Sequence, residues 1–149
     1  MAMPPLVRRA IHSDRFPQPV ASYSQGFQVG NMLFITGQLP VDPLTSNKVG
    51  DGDITLEARQ VMRNMMAVLE EAGFCAKDVV SAVVYLTDID TLDTVDAVWQ
   101  EFFTDPQAYP SRAVVEVSAL VLGIQLEISA IAIKDLDYPG GSAQSEQGA

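Results

Sequence analysis

Apolar and polar positions follow two different periods along this chain. Ala58, Val61, Met62, Met65, Val68, Leu69 and Ala72 recur three and four residues apart, the spacing of one buried helix face. Asp53 or Thr55 is placed to cap the start of this helix, and Gly73 to end it in the left-handed conformation. A second helix is predicted over about Thr91 to Phe103, with Leu92, Val95, Val98, Trp99 and Phe102 on one face and Pro106 and Pro110 beyond its exit. Elsewhere the period is two. Gly26 to Val29 and Met32 to Thr36 flank Gly30-Asn31, a hairpin signal. Leu6 to Ile11 reads as a short edge strand, Gly37 to Gly52 as a loop, and Val79 to Leu86 as a buried strand rich in β-branched residues. Two strands close the chain. In the first, Arg112, Val114, Glu116 and Ser118 share one face. In the second, Glu127, Ser129, Ile131 and Ile133 oppose Leu126, Ile128, Ala130 and Ala132.

The resulting order, β-β-β-α-β-α-β-β, predicts an α+β domain with two helices on one face of a mixed sheet. Its other face stays fairly apolar and needs cover, for which self-association is the simplest source. Residues 6–136 form the expected single domain. A disordered lead over 1–5 and a flexible tail over 137–149, rich in Gly, Ser and Gln, are expected to flank it.

Charge and composition narrow the function. The net charge is −10 with only nine Lys and Arg residues, and no basic run occurs. Phosphate neutralisation needs cations in number, so no nucleic-acid partner is expected. No apolar run reaches spanning length, so no membrane partner is expected either. The single Cys75 excludes an internal disulfide framework and suits a reducing compartment. With no secretory signal legible, a cytoplasmic location is expected. The lone His12 cannot build a histidine-based metal cluster, and no metal site is expected.

The chemistry concentrates at Tyr109-Pro110-Ser111-Arg112-Ala113-Val114-Val115-Glu116-Val117 and at Glu127. A guanidinium at the mouth of an apolar strand can grip a carboxylate with two parallel N–H bonds. The plainer alternative for Arg112 is a salt bridge, with Glu116 on the same face as one partner. Glu127 is either a solvated carboxylate or a half-buried proton carrier. Burial would raise its pKa, and a nearby Arg112 would lower it. The Tyr23 phenol can reach a ligand or simply pack. Gly37 either serves turn geometry or lets a ligand approach the backbone. Cys75 lacks an obvious base and is not expected to be catalytic.

Taken together, these motifs resemble the Rid family, the YjgF-type reactive-intermediate deaminases, and most closely its RidA-like branch. The resemblance spans roughly Ile11 to Lys134. It rests on Tyr23-Ser24-Gln25-Gly26, on Gly30-Asn31-Met32-Leu33-Phe34-Ile35-Thr36-Gly37-Gln38-Leu39-Pro40, and on Glu57-Ala58-Arg59-Gln60 with Asn64. Glu71-Ala72-Gly73, the Tyr109 to Val117 stretch, and Leu126-Glu127-Ile128 with Ala130-Ile131-Ala132 complete it.

The resemblance implies a chorismate-mutase-like subunit, a homotrimer, and ligand sites in clefts between subunits. It implies hydrolysis of 2-imino and 2-enamino acids to 2-keto acids and ammonia, without a cofactor. By the same resemblance Arg112 binds the substrate carboxylate, Glu127 positions or activates water, and Tyr23 lines the cleft. The backbones of Gly37 and Val114 supply polar contacts. Several positions depart from the family pattern: Ser22 for Pro, Val114 for Cys, Leu120-Val121 for Leu-Pro, Ser129 for Glu, and Asp96 for a cleft Asn. An Asp96 facing the cleft would weaken binding of a second anionic group. Two other functions compete: a non-catalytic trimer that binds small carboxylates or holds client proteins, and an endoribonuclease or translation inhibitor. The acidic balance speaks against the latter.

Overall fold

Asp53 begins the first helix, α1 (Ile54–Glu71), because its side chain accepts from the N–H groups of Thr55 and Leu56. Two donors that a helix start leaves open are thereby satisfied. At the far end Gly73 takes φ 78°, and Phe74 N–H closes onto the Leu69 carbonyl at 2.8 Å. A left-handed glycine permits this reversal without steric penalty. The computed structural model describes residues 5–136; the lead expected over 1–5, Pro5 aside, and the tail over 137–149 lie outside the described residues.

The second helix, α2 (Leu92–Phe102), turns Val95, Val98 and Trp99 inward. Arg59 of α1 donates to Glu101 of α2 through Nε at 2.9 Å and Nη2 at 2.7 Å, pinning the two helices side by side. Six strands form one sheet: β1 (Arg8–Ile11), β2 (Gly26–Val29), β3 (Met32–Gln38), β4 (Val79–Leu86), β5 (Ser111–Glu116) and β6 (Leu126–Ile133). Their spatial order is β1-β2-β3-β6-β4-β5. Only β4 and β5 run parallel, because α2 carries the chain back between them.

The period-two pattern fixes which face meets the helices. Leu33, Ile35, Ala82, Val84, Leu86, Leu126, Ile128, Ala130 and Ala132 are all buried against the inward stripe of α1. Their alternate neighbours face the other way. Phe34, Val83, Tyr85, Val115 and Ile131 lie on a face that nothing among the described residues covers, and Phe34 is 42% exposed. So β4, expected as a buried strand, is buried on one face and half-buried on the other. β3 also runs further than expected: it continues to Gln38 through a bulge at Thr36 and Gly37. Among the described residues no helix is long and apolar enough to cross a membrane.

Candidate active site

The bulge in β3 creates the first part of the site. Ile35 pairs with Ala130 and Gln38 with Ile128, so β3 spends two residues, Thr36 and Gly37, opposite the single Ser129 of β6. Such an insertion bends a strand and re-aims its side chains. Here it brings the Gly37 backbone against the Glu127 side chain. A β-carbon on Gly37 would stand 2.1 Å from Glu127 Oε1, 2.7 Å from Cδ and 2.9 Å from Cγ. The carboxyl therefore rests on bare backbone, and only glycine leaves room for it. Burial raises the Glu127 pKa above the usual carboxylate range, since the charged form loses hydration there.

On its other side Gly37 lines a groove with Pro17, Val20, Tyr23 and Leu39. The Tyr23 ring is partly exposed, and its hydroxyl accepts from the Val20 N–H at 3.2 Å. Two buried amides brace this groove. Gln25 Nε2 donates to the Pro17 carbonyl at 2.7 Å, tying the preceding loop to β2. Asn64 Nδ2, from α1, donates to the carbonyls of Leu39 and Val41 at 2.9 Å each. The loop backbone beyond Gly37 is thus fixed by satisfied polar bonds instead of by a regular ladder.

Arg112 stands elsewhere. It lies on edge strand β5, opposite Ala82 of β4, and so points toward the helices. Glu127 lies opposite Tyr85 and points to the uncovered face. Within one protomer the sheet separates the two side chains. The lowering pull that a nearby Arg112 would exert on Glu127 is accordingly absent, and burial alone sets the direction of its shift. Arg112 Nη1 sits 2.8 Å from Asp96 Oδ1, and its guanidinium carbon lies 4.9 Å over the Trp99 ring. Asp96, not Glu116, is its ionic partner; Glu116 instead accepts from the Ile89 N–H at 3.0 Å. Asp96 Oδ2 also accepts from Gln100 at 2.9 Å. That amide, followed by Arg112, holds the Asp96 pKa below the ordinary carboxylate value. Tyr109 and Pro110 complete a cleft around this pair.

Val114 shares the Arg112 face and packs its side chain on the core beside Val84, which leaves only its backbone for polar contact. His12 and Cys75 are exposed and belong to neither grouping. Sequence reasoning missed Trp99 as a platform for the guanidinium. The available signal was its position three residues after Asp96, which places both on one stretch of helix surface. Glu57, a motif residue to which sequence reasoning assigned no role, is buried, and its carboxylate accepts from the Gln125 backbone and side chain at 3.0 and 3.1 Å and fixes the entry to β6. Among the described residues no three His, Cys, Asp or Glu side chains cluster as metal ligands would.

Two helices on a mixed six-stranded sheet, with an arginine on the edge strand and a half-buried glutamate on a central one, define a chorismate-mutase-like α+β subunit. The family model described as endoribonuclease L-PSP matches residues 13–134. A RutC family protein of Pyrococcus horikoshii is 40% identical over 129 residues, covering 87% of this chain and all of that protein. The 2-iminobutanoate/2-iminopropanoate deaminase of Escherichia coli is 35% identical over 127 residues, covering 85% of this chain and 98% of that enzyme. The solved structure of E. coli TdcF with bound serine superposes with a TM-score of 0.79 at 35% identity, covering 85% of this chain and 98% of that one. The chain belongs to the Rid (YjgF-type) family, whose family model carries the L-PSP description.

Proposed function

We propose that this protein hydrolyses reactive 2-imino and 2-enamino acids to 2-keto acids and ammonia, in sites shared between protomers of a homotrimer. The observation that carries the reading is Glu127: a carboxyl of raised pKa, resting on the Gly37 backbone beside the Tyr23 groove. The uncovered apolar sheet face supports the assembly, since a second protomer laid on it would bury Phe34, Val83 and Ile131. It would also let the edge-strand Arg112 of one protomer meet the Tyr23–Gly37–Glu127 grouping of the next. The iminobutanoate deaminase among the relatives supports the reaction, and the serine held by TdcF supports a small acid as ligand.

The chemistry asks little of the protein. The imine carbon is already electrophilic. Arg112 holds the substrate carboxylate, and Glu127 takes a proton from water as the oxygen bonds to C2. Glu127 returns that proton to the nitrogen, and the new C2 hydroxyl gives up its own as the C–N bond breaks. Nitrogen leaves as ammonia with both of water's protons, and C2 keeps the oxygen as the carbonyl of the 2-keto acid. Positioning and one proton carrier suffice. Burial raises the Glu127 pKa and so makes its carboxylate a better proton acceptor than a solvated one. Nuclease activity lacks comparable support, because a net charge of −10 opposes polyphosphate binding.

The test couples the protein to a threonine dehydratase and follows early 2-ketobutyrate formation. Acceleration over buffer hydrolysis is expected. Arg112→Ala should lower kcat/KM at least about 100-fold by removing the anchor. No acceleration across several amino-acid precursors would refute the reading. RNA cleavage that co-elutes with the protein and vanishes in Arg112→Ala would replace it with the nuclease.

A further inference from the structure

We propose that Asp96 sets the charge class of ligand the Arg112 cleft accepts. Acids carrying a cationic or N–H donor group beside the carboxylate are favoured over plain monoanions, and dianions are favoured least. The inference rests on Arg112 as a carboxylate anchor and goes beyond it, because it concerns what else the ligand must carry.

The geometry is that of a fixed charge pair. Asp96 Oδ1 lies 2.8 Å from Arg112 Nη1, while Asp96 Oδ2 takes a hydrogen bond from Gln100 at 2.9 Å. Held from two sides, the carboxylate is not free to swing away. The guanidinium is held as well, over the Trp99 ring at 4.9 Å, and Trp99 itself stacks on Phe103 at 4.4 Å. A ligand carboxylate must use the guanidinium edge that Asp96 leaves open, beside Tyr109 and Pro110. There it stands about 5–6 Å from a second, fixed carboxylate, close enough for repulsion to lower affinity about tenfold in a partly exposed cleft. A second carboxylate on the ligand compounds that loss.

A zwitterion escapes it. In a 2-iminium or 2-ammonium acid, the nitrogen is bonded to the carbon next to the carboxyl group. Its positive charge therefore lies beside the carboxylate, as Asp96 lies beside Arg112. One charge pair meets the other in reverse order: carboxylate on Arg112, N–H on Asp96. The same contact favours the protonated, more electrophilic form of an imine. An amide at position 96 would remove the repulsion and keep only a neutral acceptor for the N–H.

The test measures binding of 2-ketobutyrate, 2-ketoglutarate and L-serine to the full chain, by calorimetry and by the fluorescence of Trp99, the one tryptophan present. Asp96→Asn is nearly isosteric and lies at a partly exposed position. It should tighten 2-ketobutyrate about tenfold, tighten 2-ketoglutarate more, and leave serine unchanged or weaker. Ratios unchanged within twofold, with binding still abolished by Arg112→Ala, overturn the role of Asp96 and leave the anchor standing. Binding that survives Arg112→Ala overturns both readings. So does absence of binding to wild type and Asp96→Asn alike. Keto-acid binding that appears only in Asp96→Asn supports the inference.

Discussion

Replacing Gly37 with Ala adds one carbon at the point where the Glu127 carboxyl rests. Gly37 does not occupy the left-handed region, so the backbone accepts alanine without strain. The three nearest atoms all belong to one side chain. Glu127 Oε1 would lie 2.1 Å from the new carbon and must withdraw about 1.3 Å to reach ordinary contact. Rotation about its flexible stem can do this, so folding is largely spared. Alanine also narrows the unfolded ensemble, worth about 0.4–1 kcal/mol in favour of the fold. Catalysis is less forgiving, because a misplacement of about 1 Å in a reacting group lowers rate about 100-fold. The expected result is a fall of about 100-fold in kcat/KM in the dehydratase-coupled assay, with Tm changed by less than about 4 °C. The pH–rate profile should move as well, because a carboxyl pushed toward water regains hydration and its apparent pKa falls. A folded Gly37→Ala variant that keeps kcat/KM within threefold of wild type would refute the account of Glu127 as proton carrier on this floor.

Glu127→Gln should stabilise the fold at neutral pH relative to wild type. The pKa of Glu127 is raised on folding, so its favourable contribution is complete below the unfolded-state value and is lost as pH rises through the folded one. The Tm difference between variant and wild type should therefore grow from pH 4 to pH 7, and a flat difference would contradict the burial argument. In the active protein the same group should give an acid limb in kcat/KM above the ordinary carboxylate range, absent in Glu127→Gln. Asn64→Asp removes the amide that donates to the carbonyls of Leu39 and Val41, leaving Leu39 with the Val41 N–H alone, and brings a charge beside them. Urea denaturation should show a loss of about 3 kcal/mol, and a loss below about 1 kcal/mol would show that water replaces the amide.

Periodicity alone determined where the helices and strands lie and which side of each is apolar. The stripe from Ala58 to Ala72 and the alternation from Leu126 to Ile133 are local signals, each set by the geometry of its own element, and the core follows them residue by residue. Even the split between Glu127 and its buried neighbours was legible, because strand neighbours always face opposite ways. Three things were not. The bulge at Thr36 and Gly37 arises from mismatch with β6, a strand about ninety residues away, so nothing in the β3 sequence announces it. The partner of Arg112 depended on how α2 lies over β5; strand spacing pointed to Glu116, while packing supplied Asp96 and Trp99. The separation of Arg112 from Glu127 required the pairing order, with β4 lying between β5 and β6, because the two faces of a sheet become distinct only once its strands are aligned. Local propensities are written along the chain. The contacts that turn residues into a site are written between segments, and only the folded arrangement decides which of them are made.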